Sequence, residues 1–131
     1  MKKILFAASE AEPFMKTGGL ADVTGSLPKY FDKKNYDVRV ILPKYVCMEE
    51  RWKGQLHFLC HFYVNLSWRK QYVGIFETTY DGITYYLVDN EFYFAGNAPY
   101  NNIYEDVEKF AFFSKAVLEA LPYLDFCPDI I

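Results

Sequence analysis

Residues 4 to 8, Ile4-Leu5-Phe6-Ala7-Ala8, form an unbroken apolar run bounded by polar residues. Such a run predicts a strand buried on both faces, as in a parallel sheet. Residues 10 to 19 follow as a loop, marked by Pro13 and the pair Gly18-Gly19. From Leu20 the apolar positions are Leu20, Val23, Leu27, Tyr30 and Phe31, at offsets of 3, 7, 10 and 11. That spacing predicts an amphipathic helix, with a kink or break at Pro28. Val38 to Leu42 is a second buried strand, stopped by Pro43. Strand, glycine loop, helix and strand in that order make a βαβ unit with a right-handed crossover and a parallel pair.

The middle has another rhythm. Residues 56–66, 72–78 and 83–88 are β-rich runs, and Tyr80-Asp81-Gly82 between the last two is a hairpin signal. These runs predict antiparallel or mixed strands inserted into the sheet. Residues 89–103, rich in Asn, Gly and aromatics, are too long for a mere connection and form a candidate binding loop. Val107, Phe110, Ala111, Ser114, Val117, Leu118 and Leu121 then mark one face of a helix that Pro122 must end. Pro128-Asp129-Ile130-Ile131 reads as the opening of a further buried strand.

Composition narrows the function classes. In 131 residues, 52% are hydrophobic, 20% aromatic and 24% charged, enough for a sizeable core in one domain or part of one. The net charge of −3 and the lack of a Lys/Arg cluster argue against a nucleic-acid partner. No stretch approaches the roughly 18 apolar residues of a membrane span. The first apolar run meets Glu10 and Glu12 too soon for a signal peptide, so a cytoplasmic location is expected. Cys47, Cys60 and Cys127 are widely spaced and fit free thiols rather than disulfides or a metal site. His57 and His61 lie in a strand-like run without further ligands and read as structural.

The chemistry concentrates in Lys16-Thr17-Gly18-Gly19-Leu20-Ala21-Asp22, between the first strand and the first helix. Sheets of this type bind ligands at the carboxyl ends of their strands. A helix start offers unpaired N–H groups and a positive dipole end. Gly18 and Gly19 have no Cβ, so a diphosphate can approach the backbone. Lys16 adds a mobile charge suited to a phosphate oxygen, and Asp22 complements the dipole and can accept from ligand hydroxyls. The spacing is neither a dinucleotide fingerprint nor a P-loop, and a plain turn with a capped helix describes it equally. Glu10 and Glu12 read as solvated loop carboxylates.

Ser9-Glu10, Pro13, the run from Lys16 to Val23, Gly25 and Leu27-Pro28 together closely resemble the signature of bacterial glycogen and plant starch synthases. Val38 to Pro43 resembles the family's second strand, Tyr86 to Asn90 the strand before its substrate loop, and Tyr104 to Leu121 the helix that follows. The resemblance implies a GT-B glycosyltransferase, in which two Rossmann-like domains face each other across a cleft. This chain would be the first part of the amino-terminal, acceptor-side domain: α/β, with a parallel sheet and inserted antiparallel strands. The family transfers glucose from ADP-glucose to the non-reducing end of an α-1,4-glucan such as glycogen, with retention and without metal or cofactor. The donor-binding carboxy-terminal domain would lie outside residues 1–131, leaving this segment inactive alone.

Carried over by position, the resemblance assigns ADP-glucose binding to Lys16, Gly18, Gly19, Asp22 and Tyr100. Lys16 would reach the phosphates, the glycines would admit the diphosphate and glucose, and Asp22 would belong to the active-site loop. Tyr100 would be the substrate-contacting tyrosine, against the alternative of an exposed loop aromatic. Where the family commonly shows Asp-x-x-x-Arg-Phe, this chain has Glu105-Asp106-Val107-Glu108-Lys109-Phe110. An i,i+4 pair of Glu105 with Lys109 stays available, but lysine cannot copy a bidentate arginine clamp. The rival readings are another GT-B transferase using UDP-glucose and a non-catalytic binding domain.

Overall fold

In the computed structural model, which describes residues 1–131, five strands form one sheet in the order β1-β2-β5-β4-β3. The strands are β1 (Lys2–Ala7), β2 (Tyr36–Pro43), β3 (His57–Leu66), β4 (Arg69–Tyr80) and β5 (Ile83–Asp89). β1, β2 and β5 are parallel, while β4 and β3 extend the sheet antiparallel. The βαβ unit and the inserted antiparallel strands expected from the sequence are both present. Asp81 and Gly82 turn from β4 to β5 with φ of 53° and 79°, the two positive values that a type I′ hairpin requires. Beyond β1, Ile130 forms a parallel bridge with Ile4, so the last residues do begin another strand on that edge.

Three helices accompany the sheet: α1 (Gly19–Ser26), the single turn α2 (Glu50–Lys53) and α3 (Ile103–Ala120). The expected breaks occur at the prolines, with 3₁₀ turns at Leu27–Tyr30 and Leu121–Tyr123. α3 covers one face of the sheet, where Phe112, Phe113, Ala116 and Val117 meet Leu5, Ile41, Ile75 and Val88. The other face is covered by Phe14, Met48 and Trp52, which meet Val40, Leu42, Tyr85 and Leu87. The aromatic-rich loop is itself packed. Asn90 Oδ1 accepts from the amides of Phe92 and Tyr93 at 3.0 and 2.9 Å, and Tyr93 and Phe94 enter the core.

Both helical faces expected from the sequence need correction. In α1 the large apolar residues Leu20 and Val23 are exposed, as are Leu27 and Tyr30 just beyond, while Ala21, Thr24 and Gly25 face inward. The cause is close backbone approach: the Glu12 amide donates to the Ala21 carbonyl at 3.1 Å, and a Cβ on Gly25 would lie 2.6 Å from the Glu12 carbonyl oxygen. Only small side chains fit that contact. α3 is apolar on more than one side, and its buried face includes Lys109, Phe112, Phe113, Ala116, Val117 and Ala120. Val107 and Leu118 are instead exposed. His57 and His61 lie on β3 as expected, and all three cysteines are free. His61 stacks on Tyr72 at 5.9 Å.

Candidate functional site

The β1–α1 loop delivers its residues to the carboxyl end of β1, and one side chain organises them. Glu10, expected to be solvated, is 1% exposed. Its Oε1 accepts from the backbone amides of Thr17, Gly18 and Ala21 at 3.4, 3.2 and 3.3 Å. Its Oε2 accepts from the Thr17 hydroxyl at 2.5 Å and the Tyr100 hydroxyl at 2.8 Å. The carboxylate therefore caps α1 from a distance in sequence, where helix N-caps ordinarily act from the adjacent residue. Burial pushes its pKa up, but the hydrogen bonds from the two hydroxyls and from Thr17 and Gly18 amides outweigh burial and bring it below the usual 4.5.

This cap changes the phosphate cradle inferred from the sequence. The amide of Gly18 is already engaged by Glu10, so it is not a free donor. The amides of Gly19 and Leu20 find no acceptor within the chain and are open donors at the helix start. The open donors thus lie one residue further along than the glycine pair suggested. Gly18 has φ of −170°, extended backbone open to any residue, and a Cβ at either Gly18 or Gly19 would meet nothing within 4 Å. Neither the fold's backbone nor its packing requires glycine at these two positions.

Lys16 and Asp22 flank that position and are paired with each other, Lys16 Nζ to Asp22 Oδ1 at 2.7 Å. Glu12 lies 3.8 Å from the same ammonium. The hydrogen bond to Asp22, then the charges of Asp22 and Glu12, raise the Lys16 pKa; the same hydrogen bond lowers that of Asp22. The pair is about half exposed, so water screens it and an incoming phosphate can displace the carboxylate at small cost.

Tyr100 arrives from the 89–103 loop and joins this group through its hydroxyl, which sits 2.6 Å from Ser9 Oγ as well as bonding Glu10. It is 41% exposed, as a loop aromatic would be, while its hydroxyl is held by both partners. Burial first, and then the neighbouring Glu10 carboxylate, raise its pKa. Tyr45 donates to the Ser9 carbonyl at 2.6 Å and steadies the same turn from β2's side. The main hollows of the surface are lined by other residues, so Lys16, the free amides and Tyr100 form an open half-site rather than an enclosed pocket.

The departure at the start of α3 also resolves differently from expectation. Lys109 does not pair with Glu105; it pairs with Asp106 at 3.3 Å, and donates to the Pro99 carbonyl at 2.8 Å and Asn101 Oδ1 at 2.7 Å. Burial of its ammonium on the core side of α3 turns it toward the loop, away from Glu105. Sequence reasoning took Glu10 for a solvated carboxylate and paired Lys109 with Glu105, since the actual contacts of both form only when segments distant in sequence meet.

A family model described as the starch synthase catalytic domain matches residues 3–131. The chain belongs to this family. It is 66% identical over its whole length to a glycogen synthase of Lachnoclostridium phytofermentans, and 62% identical to one of Lachnospira eligens. In both cases it covers 27% of the relative, so the chain spans about a quarter of the length of the curated relatives it matches. Among solved structures it matches the catalytic domain of starch synthase IV from Arabidopsis thaliana bound to ADP and acarbose. That match has a TM-score of 0.81 and 27% identity, over 98% of this chain and 27% of the other. The mixed sheet is thus that of a GT-B starch synthase catalytic domain, and the family is one of glycosyltransferases.

Proposed function

We propose that this chain supplies the first part of the acceptor-side, Rossmann-like amino-terminal domain of a cytoplasmic glycogen synthase, one that moves glucose from ADP-glucose to the non-reducing end of an α-1,4-glucan with retention. A carboxy-terminal domain of the same enzyme would complete the cleft. The observation that carries this reading is the pair of unengaged amides at Gly19 and Leu20 beside Lys16, with open space above Gly18 and Gly19. Two N–H groups at the positive end of a helix and a mobile ammonium match the oxygens of a diphosphate. The names of the relatives and the ADP and acarbose bound to the Arabidopsis enzyme support a nucleotide-sugar donor and a glucan acceptor.

In this reading the segment acts by position and charge. Lys16 leaves Asp22 for the departing diphosphate, and the Gly19 and Leu20 amides meet charge that grows on it, which favours the transition state over the ground state. Asp22 is then free to accept from a sugar hydroxyl, and Tyr100 borders the sugar side. In the full-length enzyme, Lys16→Ala is expected to lower turnover about 10²-fold, comparable to losing one oxyanion donor. Near-normal turnover at saturating donor would remove Lys16 from the site. Incubating glycogen with labelled ADP-glucose or UDP-glucose tests the donor: transfer from ADP-glucose supports the assignment, and preference for UDP-glucose replaces it.

A further inference from the structure

Lys109 is a charged residue in a buried place, 3% exposed on the core side of α3. A buried ammonium is costly unless all of its donors are matched, and here three donors meet three acceptors: Pro99 O, Asn101 Oδ1 and Asp106 Oδ1. Two of these acceptors stand on either side of Tyr100 in the chain. Asp106 tightens the clasp by accepting from the Asn101 amide through both carboxylate oxygens at 3.1 Å. The Tyr100 ring lies 5.9 Å from Phe110, next to Lys109. Its hydroxyl then reaches Ser9 and Glu10, and Glu10 holds the start of α1. Hydrogen bonds at both ends, joined through the backbone of residues 99–101 and the Tyr100 side chain, thus link the buried ammonium to the half-site.

We propose that Lys109 is a positioning residue for the transfer reaction: it fixes residues 99–101 so that the Tyr100 hydroxyl stays on Glu10, setting Tyr100 and the open amides of α1 at a constant separation. This rests on the reading of the half-site given above. Lys109 touches no substrate itself; it acts through Tyr100.

The test uses the full-length enzyme with Lys109→Met, Lys109→Arg, Tyr100→Phe and the double variant Lys109→Met/Tyr100→Phe. Lys109→Met keeps the stem and removes the donors, and is expected to lower kcat/KM for the nucleotide sugar about 30-fold, within the range that small misplacements of a site cost. Lys109→Arg, which can still bond Pro99 and Asn101, should recover to within about threefold of the parent. In the Tyr100→Phe background, Lys109→Met should cost less than about threefold more, since coupled residues are not additive. Equal losses in both backgrounds would overturn the proposal and leave Lys109 with a purely structural role. Should Lys109→Met not fold, Asn101→Ala removes one acceptor and keeps the Asp106 pair; it should lower kcat/KM measurably, and only when Tyr100 is present. Independent losses for Asn101→Ala and Tyr100→Phe would again overturn the proposal. The two levels of the account separate through Lys16→Ala. Its near-normal turnover with an intact Lys109–Tyr100 coupling sinks the site reading alone, whereas its loss of turnover with additive Lys109 and Tyr100 costs sinks the positioning role alone.

Discussion

Replacing Glu10 probes the half-site and the fold together. Glu10→Ala strips the acceptor from three backbone amides and two hydroxyls. The hydroxyls can turn to other partners, but the buried Ala21 amide is fixed within α1. The Gly18 and Ala21 contacts are 3.2 and 3.3 Å and the Thr17 contact 3.4 Å, so the amide bonds are individually long. Losing an ordinary cap costs about 1 kcal/mol, and leaving a buried donor unpaired about 1–3 kcal/mol. With water reaching the Thr17 and Gly18 amides once the carboxylate is gone, a total of about 2–4 kcal/mol is expected. Glu10→Gln keeps one oxygen on the amides and turns an NH₂ to hydroxyls that can rotate to accept. Its cost should be about 1–2 kcal/mol, the difference between charged and neutral hydrogen bonds. Urea unfolding of the 131-residue chain at pH 7 measures both. The pH dependence supplies a second signature. The folded pKa of Glu10 lies below its ordinary value, so its ionisation stabilises the fold above about pH 4.5. That contribution is lost as pH falls through the folded pKa, and the gap between parent and Glu10→Gln should close in the same acid range. A Glu10→Ala variant within about 0.5 kcal/mol of the parent at pH 7 would refute the distant-cap account.

Other substitutions separate packing from ligand roles. Gly25→Ala forces a Cβ to 2.6 Å from the Glu12 carbonyl, and thermal unfolding should show a loss of about 1–2 kcal/mol even after the better helix propensity of alanine. Gly18→Ala and Gly19→Ala meet open space, so stability should change by less than about 0.5 kcal/mol. Calorimetric titration of the full-length enzyme should nevertheless show ADP binding weakened about tenfold or more, because a methyl group now stands where the diphosphate approaches the backbone. Asn90→Ala removes a buried amide that accepts from Phe92 and Tyr93 and donates to the Tyr72 carbonyl at 2.8 Å; urea unfolding should register a loss of about 2–4 kcal/mol.

The sheet was legible because its cues are local. Apolar runs at β1 and β2, Asp81-Gly82 at a hairpin and prolines at helix ends act through neighbours in sequence, and each appears where its chemistry puts it. The faces of α1 and α3 were misread for different reasons: α3 is apolar on more than one side, so spacing does not single out its buried stripe, whereas α1 meets another backbone closely. Apolar periodicity reports the greasiest stripe, whereas the contact made depends on how close the backbones come. At Gly25 the approach leaves no room for a Cβ, so small residues point inward and Leu20 and Val23 point out. The half-site was partly legible. The glycine pair and Lys16 do lie together at the start of α1, but Glu10 joins them only because the chain folds back on itself by seven to eleven residues. In sequence it is one loop carboxylate among several. Lys109 is similar: its spacing from Glu105 offers a helical pair, and only the packed loop reveals better acceptors at Pro99 and Asn101.

The measurement closest to the centre of this account follows individual backbone amides as ADP is added. In full-length enzyme that is deuterated and labelled with ¹⁵N at glycine and leucine, the Gly19 and Leu20 resonances should shift downfield on titration as their N–H groups gain phosphate acceptors. Gly18, already bonded to Glu10, should move far less. Saturating ADP that shifts Gly18 while leaving Gly19 and Leu20 in place, or that moves none of the three, would contradict the assignment of the diphosphate to the start of α1.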